Sequence, residues 1–396
     1  MDGDKKKIIE IAESLQSEIW KLAWKIGNNP ERGHEEYYAS ELLTGYLANL
    51  GFQIQKPLSG METSFLAVYH GQLPGPKLGF FAEYDALPGV GHGCGHHLIG
   101  AASTGAAAVL SLMPELRGSL VVIGSPAEET SGAKVNLVQA GVINDLDLAL
   151  MFHPGSCNVV EISSLALDAI EVSYIGKATH MAMVDNDGIN ALDALIDLFQ
   201  RLKRLKQSLA RDERIDGIIT YGGSTPNIVP DLAVARFYLR AGKRKDLNAL
   251  REKFLDCARE AGKQVQADMV WKYFENSYDE MKSNRVLAKY FIKNLNYLGI
   301  RDIESPQAIY GSVDMGNVSQ VIPAIHPFLQ LGTGLEAQHS SAFTEAALSS
   351  AGEEVLALAV KALSLTGWDV LTDSKKMRRI REEFEMNSFP KNVSEG

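Results

Sequence analysis

Cysteine is scarce, with three in 396 residues. So few thiols cannot staple a secreted scaffold, and they fit a reducing compartment. Long apolar runs are lacking too. The longest stretch without charge, Leu98 to Pro114, is short for a membrane span and rich in Ala, Gly and Ser, so it reads as a helix buried in protein. "MDGDKKK" opens the chain and an amphipathic pattern follows it, unlike a secretory signal. The expected location is cytoplasmic. Positive charge is also short. Lys+Arg number 39 against 49 Asp+Glu, giving a formal charge of −10 with no basic block. That disfavours nucleic acid and a membrane surface as partners. Gly89 to Gly95 is glycine-rich without spelling G-x-G-x-x-G, so a dinucleotide site is disfavoured. Thiol redox chemistry at Cys94 would need a resolving cysteine nearby, and none stands close in sequence.

What is present describes a soluble globular protein, 45% hydrophobic and 22% charged, and too long for one ordinary core. Apolar residues at helical spacing run from Ile8 to Ile26 and from Glu36 to Leu50. Strand-like runs follow at Ser64–His70, Leu78–Ala82, Leu120–Gly124 and Leu148–Phe152, the later ones separated by helical patterns. Strands that are apolar throughout and alternate with helices predict a mostly parallel α/β sheet covered on both faces. After Val160 the pattern becomes β-α-β-β-α-β: Ala166–Ile175, Gly188–Leu209, Ile215–Tyr221, Ala233–Leu239, Asp246–Gly262 and Gln264–Phe274. A helix at Asn284–Leu298 and the run Pro327–Leu331 read as the first domain resuming. The expectation is a discontinuous catalytic domain, residues 1–164 and 276–396, with a ferredoxin-like domain inserted at residues 165–275.

Open α/β sheets bind ligands beyond the carboxyl ends of their strands. Glu83 and Asp85 follow Leu78–Ala82, and the loop with Cys94, His96 and His97 comes next. Glu128 and Glu129 follow Leu120–Gly124, His153 follows Leu148–Phe152, and His339 lies beyond Pro327–Leu331. Singly, each has an ordinary structural explanation: a capped histidine, a small buried thiol, acids at a helix start. Cys94-x-His96 between glycines is more telling, because two ligands one residue apart on a turning loop can reach one ion. Cys94, His96, one of the two glutamates, His153 and His339 make five donors. Five fit two metals sharing a water better than one zinc. The other glutamate is then free to move a proton, and the chemistry is metal-assisted hydrolysis of an amide or similar acyl bond.

From Asn29 to Glu345 the chain carries, in order, "FFAEYDALPGVGHGCGHHLIGAA", "GSPAEETSGAKVNLVQAGV", "MFHPG", "GKATH", "GINALDAL", "TPNIVPD", "YLRA" and "SVDMGNVSQVIPAIHP". These segments resemble the co-catalytic metal amidohydrolases of the aminoacylase/carboxypeptidase type, which include hippurate, indole-acetyl-amino-acid and p-aminobenzoyl-glutamate hydrolases and the aminoacylase-1-like dipeptidases. The resemblance implies a three-layer α/β/α catalytic domain with an inserted lid that also forms a homodimer. It implies two divalent ions, Zn2+ ahead of Mn2+, Co2+ or Ni2+, on Cys94, His96, Glu129, His153 and His339, with Glu128 as the base. Asp85 would orient the site, His180 would steady the oxyanion from across a dimer, and Asn227 and Arg240 would hold the substrate carboxylate. The implied reaction cleaves an N-acyl amino acid, an aminobenzoyl-glutamate-type conjugate or a small dipeptide. The other reading is a metal-binding homologue without turnover, but such a protein has no need of Glu128 beside intact ligands. Two departures from the resemblance stand out. His97 replaces an acid or amide after "CGH", as an added ligand or as a donor to one. Met181 and Met183 replace small residues after His180, which would reshape the acyl pocket.

Overall fold

The computed structural model describes residues 2–180, 187–308, 311–334 and 337–388. Met181 and Met183 lie outside them. The chain divides into a larger unit, residues 1–163, 281–309 and 317–396, and a smaller one, residues 164–280 and 310–316.

The larger unit is built on a six-stranded sheet, in the order Gln53–Gln55, Phe65–His70, Arg117–Gly124, Leu73–Ala82, Leu148–Leu150 and Ala324–Ile325. The first two pairings are antiparallel and the other three parallel. Central positions such as Leu78, Phe80, Val122 and Leu148 are fully buried, as expected where both faces are covered. The uncharged run forms the helix His96–Ser111, and all sixteen of its residues are buried. Its small side chains let it pack against the helices Asp2–Gly27 and Ser350–Thr372 and against the strand Leu73–Ala82. Among the described residues one helix, Ser350–Thr372, is long and apolar enough to cross a membrane; most of it is buried inside the fold, as in a core helix.

One expected strand pairs differently. The run Pro327–Leu331 does not join the main sheet; the short strand Ala324–Ile325 takes that place beside Leu148–Leu150. Phe328–Gln330 pairs in parallel with His153–Gly155 as a separate two-stranded ladder. The physical reason is a break shared by both chains. After Leu150 and Ile325 each strand is interrupted for two residues and then pairs again, with His153 N–H donating to Pro327 O at 2.8 Å.

The smaller unit has the strands Ala166–Ile175, Arg214–Tyr221, Leu232–Ala241 and Asp268–Tyr273 and the helices Ala191–Leu205 and Arg244–Val265. Every pairing is antiparallel, and the first strand lies between the fourth and the third. Ala233, Ala235, Phe237, Leu239 and Ala241 join the apolar cluster that contains Leu195, Leu198, Leu250 and Phe254 of the helices. By strand alternation, Arg236, Tyr238 and Arg240 occupy the opposite face. The first helix begins later than its periodicity suggests because Asn190 caps it, accepting from Leu192 N–H at 3.0 Å.

Candidate metal centre

The site grows from three strand exits of the larger unit. The strand Leu73–Ala82 ends at Glu83, Tyr84 and Asp85, all buried. The chain then turns at Gly95, whose φ of 74° marks the start of the buried helix. A Cβ there would come within 2.6 Å of Pro154 Cγ, so both conformation and space call for glycine. This turn places Cys94 just before the helix and His96 as its first residue.

Cys94, His96 and Glu129 each present a ligand atom, and these atoms lie within 4.8 Å of one another. Glu129 Oε1 is 3.8 Å from His96 Nε2 and 3.8 Å from His339 Nε2. Those separations are too long for hydrogen bonds, and Glu129 Oε1 is buried without a hydrogen-bond partner. An orphaned carboxylate oxygen between two imidazoles and a thiol suits a shared cation. Burial first, and the Glu129 charge second, push the Cys94 thiol well up from its ordinary value. A cation would reverse that balance by stabilising the thiolate. The donor set therefore fits a divalent metal.

The imidazoles are held from behind. His96 Nδ1 donates to Asp85 Oδ1 at 2.8 Å, which turns Nε2 towards Glu129. The other Asp85 oxygen accepts from the Glu129 N–H at 2.9 Å. His153 donates from Nδ1 to Pro154 O at 2.7 Å, and Phe328 stacks on its ring at 4.7 Å. The His153 ring stands edge-on to His96 with centroids 5.9 Å apart, outside the tight trio. His339 adopts a left-handed φ of 65°, and its N–H donates to Gly93 O at 2.9 Å, tying it to the Cys94 loop. Glu128 is half-buried and close enough to Cys94 for its charge to act on the thiol.

His97 is turned elsewhere. It is fully buried, its Nε2 donates to Ala347 O at 3.3 Å, and its ring faces His92 at 4.8 Å. In the smaller unit, Arg240 Nη1 donates to Ser312 Oγ at 2.6 Å and its guanidinium lies over the Tyr238 ring. Asn227 is exposed and accepts from Thr225 Oγ1 at 2.8 Å, and His180 pairs with Ile228 in an antiparallel bridge.

Three buried groups beside the site had no signal in the sequence strong enough to assign them. Lys134, fully buried, pairs with Glu83, and the second Glu83 oxygen is 3.5 Å from His96 Nε2. His326 lies buried with its ring 5.6 Å from that of His153, and neither of its ring nitrogens has a hydrogen-bond partner. Glu36 is fully buried, and burial first and Asp85 second raise its carboxyl to about 7.

Comparison with known proteins decides the family. The chain is 34% identical to the human Xaa-Arg dipeptidase over 96% of its own length and 92% of the relative's. The chain belongs to the M20 family of metal peptidases. As an M20 protein it is a hydrolase acting on amide bonds. Residues 167–266 match the family model described as a peptidase dimerisation domain. M20 relatives include a p-aminobenzoyl-glutamate hydrolase of Escherichia coli, 26% identical over 78% of this chain and 66% of that one. A solved M20 structure from Bacillus subtilis, described as a dinuclear metal binding peptidase, shares the fold. Its TM-score is 0.66 at 20% identity, covering 88% of this chain and 98% of that one.

Proposed function

We propose that the chain binds two divalent cations and hydrolyses the amide bond of a small N-acyl amino acid, aminobenzoyl-glutamate-type conjugate or dipeptide, releasing a free amino acid. The carrying observation is the trio of Cys94, His96 and Glu129 within 4.8 Å around a buried carboxylate oxygen that lacks a partner. His339 at 3.8 Å from that oxygen and His153 beside His96 supply the fourth and fifth donors. A thiolate with three imidazoles favours Zn2+ among the divalent ions. Such ions, when bound, polarise the scissile carbonyl and acidify water.

The chain's own residues do the rest. Glu128 accepts the proton of the attacking water and returns it to the leaving amine nitrogen. Asp85 fixes the ring of His96 and the peptide of Glu129 together. Arg240, a planar fork already stacked on Tyr238, holds the substrate carboxylate, with Asn227 beside it in that task. His180 steadies the developing oxyanion, acting across a dimer that the smaller unit forms. The match of residues 167–266 to a dimerisation domain supports that assignment.

The test joins elemental analysis of the purified protein to a panel of N-acetyl, N-benzoyl, aminobenzoyl and dipeptide substrates. Dipeptides ending in arginine come first, because the human relative is named for them. Glu128→Gln should abolish turnover while leaving the metal content unchanged. Loss of metal instead would exchange the roles of Glu128 and Glu129. A metal-free protein that cleaves nothing on the panel would overturn the proposal.

A further inference from the structure

We infer that Glu36 is the positioning residue for the Glu128–Glu129 pair. The inference rests on the reading that these two glutamates serve the hydrolysis. It starts from an oddity at a helix start. Glu36 stands at the N-cap of the helix Tyr37–Asn49, yet its side chain makes no capping bond. Glu31 performs that task, its two oxygens accepting from Tyr38 N–H at 2.9 Å and Ala39 N–H at 3.0 Å. The Glu36 carboxylate turns inward instead. Its Oε1 accepts from Ala127 N–H at 2.8 Å and its Oε2 from Thr63 Oγ1 at 2.8 Å. Thr63 is itself tied down, its carbonyl accepting from Tyr84 O–H at 2.6 Å.

Ala127 needs such a hold. It carries φ of 58° without being glycine, a conformation that costs an L-residue roughly 1–2 kcal/mol. Its carbonyl accepts from Ser131 N–H at 3.0 Å and Gly132 N–H at 2.9 Å, so the loop winds around this one strained residue. The segment before Glu36 presses on the same place. A Cβ on Gly33 would lie 2.9 Å from Ala127 Cα and 2.3 Å from Thr130 Oγ1.

Asp85 holds the other side, accepting from Glu129 N–H at 2.9 Å. The peptide N–H groups before and after Glu128 are thus each gripped by a buried carboxylate. Two neighbouring side chains leaving a strand end must point to different tasks, one to a metal and one to a proton. A fixed backbone on both sides of Glu128 sets that division. Glu36 touches neither substrate nor metal ligand side chains in this arrangement; it acts through the Ala127 peptide.

The experiment is kinetics and metal binding on Glu36→Gln, Thr63→Val, Ala127→Gly and the double variant Glu36→Gln/Ala127→Gly. Glutamine cannot accept from both donors, so the turn loosens. The kcat of the metal-loaded Glu36→Gln protein should fall about 10- to 100-fold with KM changed less than about 3-fold. Metal dissociation, read by chelator competition, should weaken about 10-fold through Glu129. Thr63→Val, which removes only the outer anchor and preserves shape, should show the same pattern at a few-fold. Glycine adopts φ of 58° without strain, so Ala127→Gly should recover at least about 3-fold of the lost kcat in the Glu36→Gln background and be near neutral alone. Wild-type kcat and metal affinity in Glu36→Gln and Thr63→Val would overturn the inference. So would loss without recovery by Ala127→Gly, which marks a merely structural residue. Failure of the functional reading is distinguishable: Glu128→Gln would then keep full activity, while the chelator measurement still reports whether Glu36 positions Glu129.

Discussion

Asp85 Oδ1 and His96 Nδ1 lie 2.8 Å apart in a buried pair that leaves the far ring nitrogen facing Glu129. The second oxygen of Asp85 serves the Glu129 peptide. One carboxylate therefore orients two donors. Asparagine keeps the shape but can accept on one side only. Asp85→Asn should weaken metal binding about 10- to 100-fold, measured by chelator competition. An unchanged dissociation constant would remove Asp85 from the centre.

Removing metal should loosen the structure locally. A ligand that binds only the folded form stabilises it, and the Cys94 loop and the Ala127–Gly132 turn are held around the same donors. Chelation should raise hydrogen exchange at Gly93–His96 and Glu128–Ser131. The strand Leu232–Ala241 belongs to the other unit and should exchange at its original rate. Uniform change along the chain would speak against a local centre.

Arg240 should report on substrate. Its guanidinium is stacked and bonded to Ser312, so truncation removes an oriented fork. For a cleaved substrate with a free carboxylate, Arg240→Ala should lower kcat/KM about 10- to 100-fold, chiefly through KM. Lysine should recover little, because it lacks the planar pair of donors. No effect would mean that the carboxylate is held elsewhere.

Asp168 is fully buried in the smaller unit and accepts from Arg244 Nη1 at 2.7 Å and Ser277 Oγ at 2.8 Å. Arg244 also donates to Asp279 and to the Tyr278 carbonyl. Arg244→Ala strands the Asp168 carboxylate and should cost about 3–5 kcal/mol in urea unfolding. Adding Asp168→Asn should return part of that loss, because the buried charge is gone. Additive losses would show that the pair is not coupled.

Asp369 gathers four helices of the larger unit, meeting Lys5 at 3.5 Å and Asn294 at 3.0 Å and pairing also with Lys376. Burial by itself would raise its carboxyl, but the bonds from Lys376 and Asn294 outweigh burial and hold it below its ordinary 3.8. A carboxyl depressed in the fold adds stability above its unfolded value, and that stability is lost as pH falls through the folded value. Asp369→Asn should lower the urea midpoint at pH 7, with the gap to wild type closing below about pH 3.8. A gap constant down to pH 2 would assign the loss to packing.

Much of this is readable locally. Ala166–Ile175 and the helix after Asn284 follow their periodicity closely, because alternation and helical spacing depend on neighbouring side chains. The Pro327–Leu331 run departs from its expected place because its apolar content matches either ladder; the partner chooses, and here it is His153–Gly155. Lys134 looks in sequence like any solvated lysine on a short helix. Its burial follows from Glu83, which is 51 positions earlier. His97 carries the chemistry of a ligand, but helix geometry turns the residue after His96 towards Ala347.

By itself the sequence determined the donor types, their attachment to strand ends and the glycine turn between Cys94 and His96, since these depend on residue chemistry and short spacing. Tertiary structure alone decided which acid serves which partner. Glu36 reaches Ala127 across 91 positions and Asp85 reaches Glu129 across 44. Hydrogen bonds act over about 3 Å, and no local pattern states which distant loops will fold to within that reach.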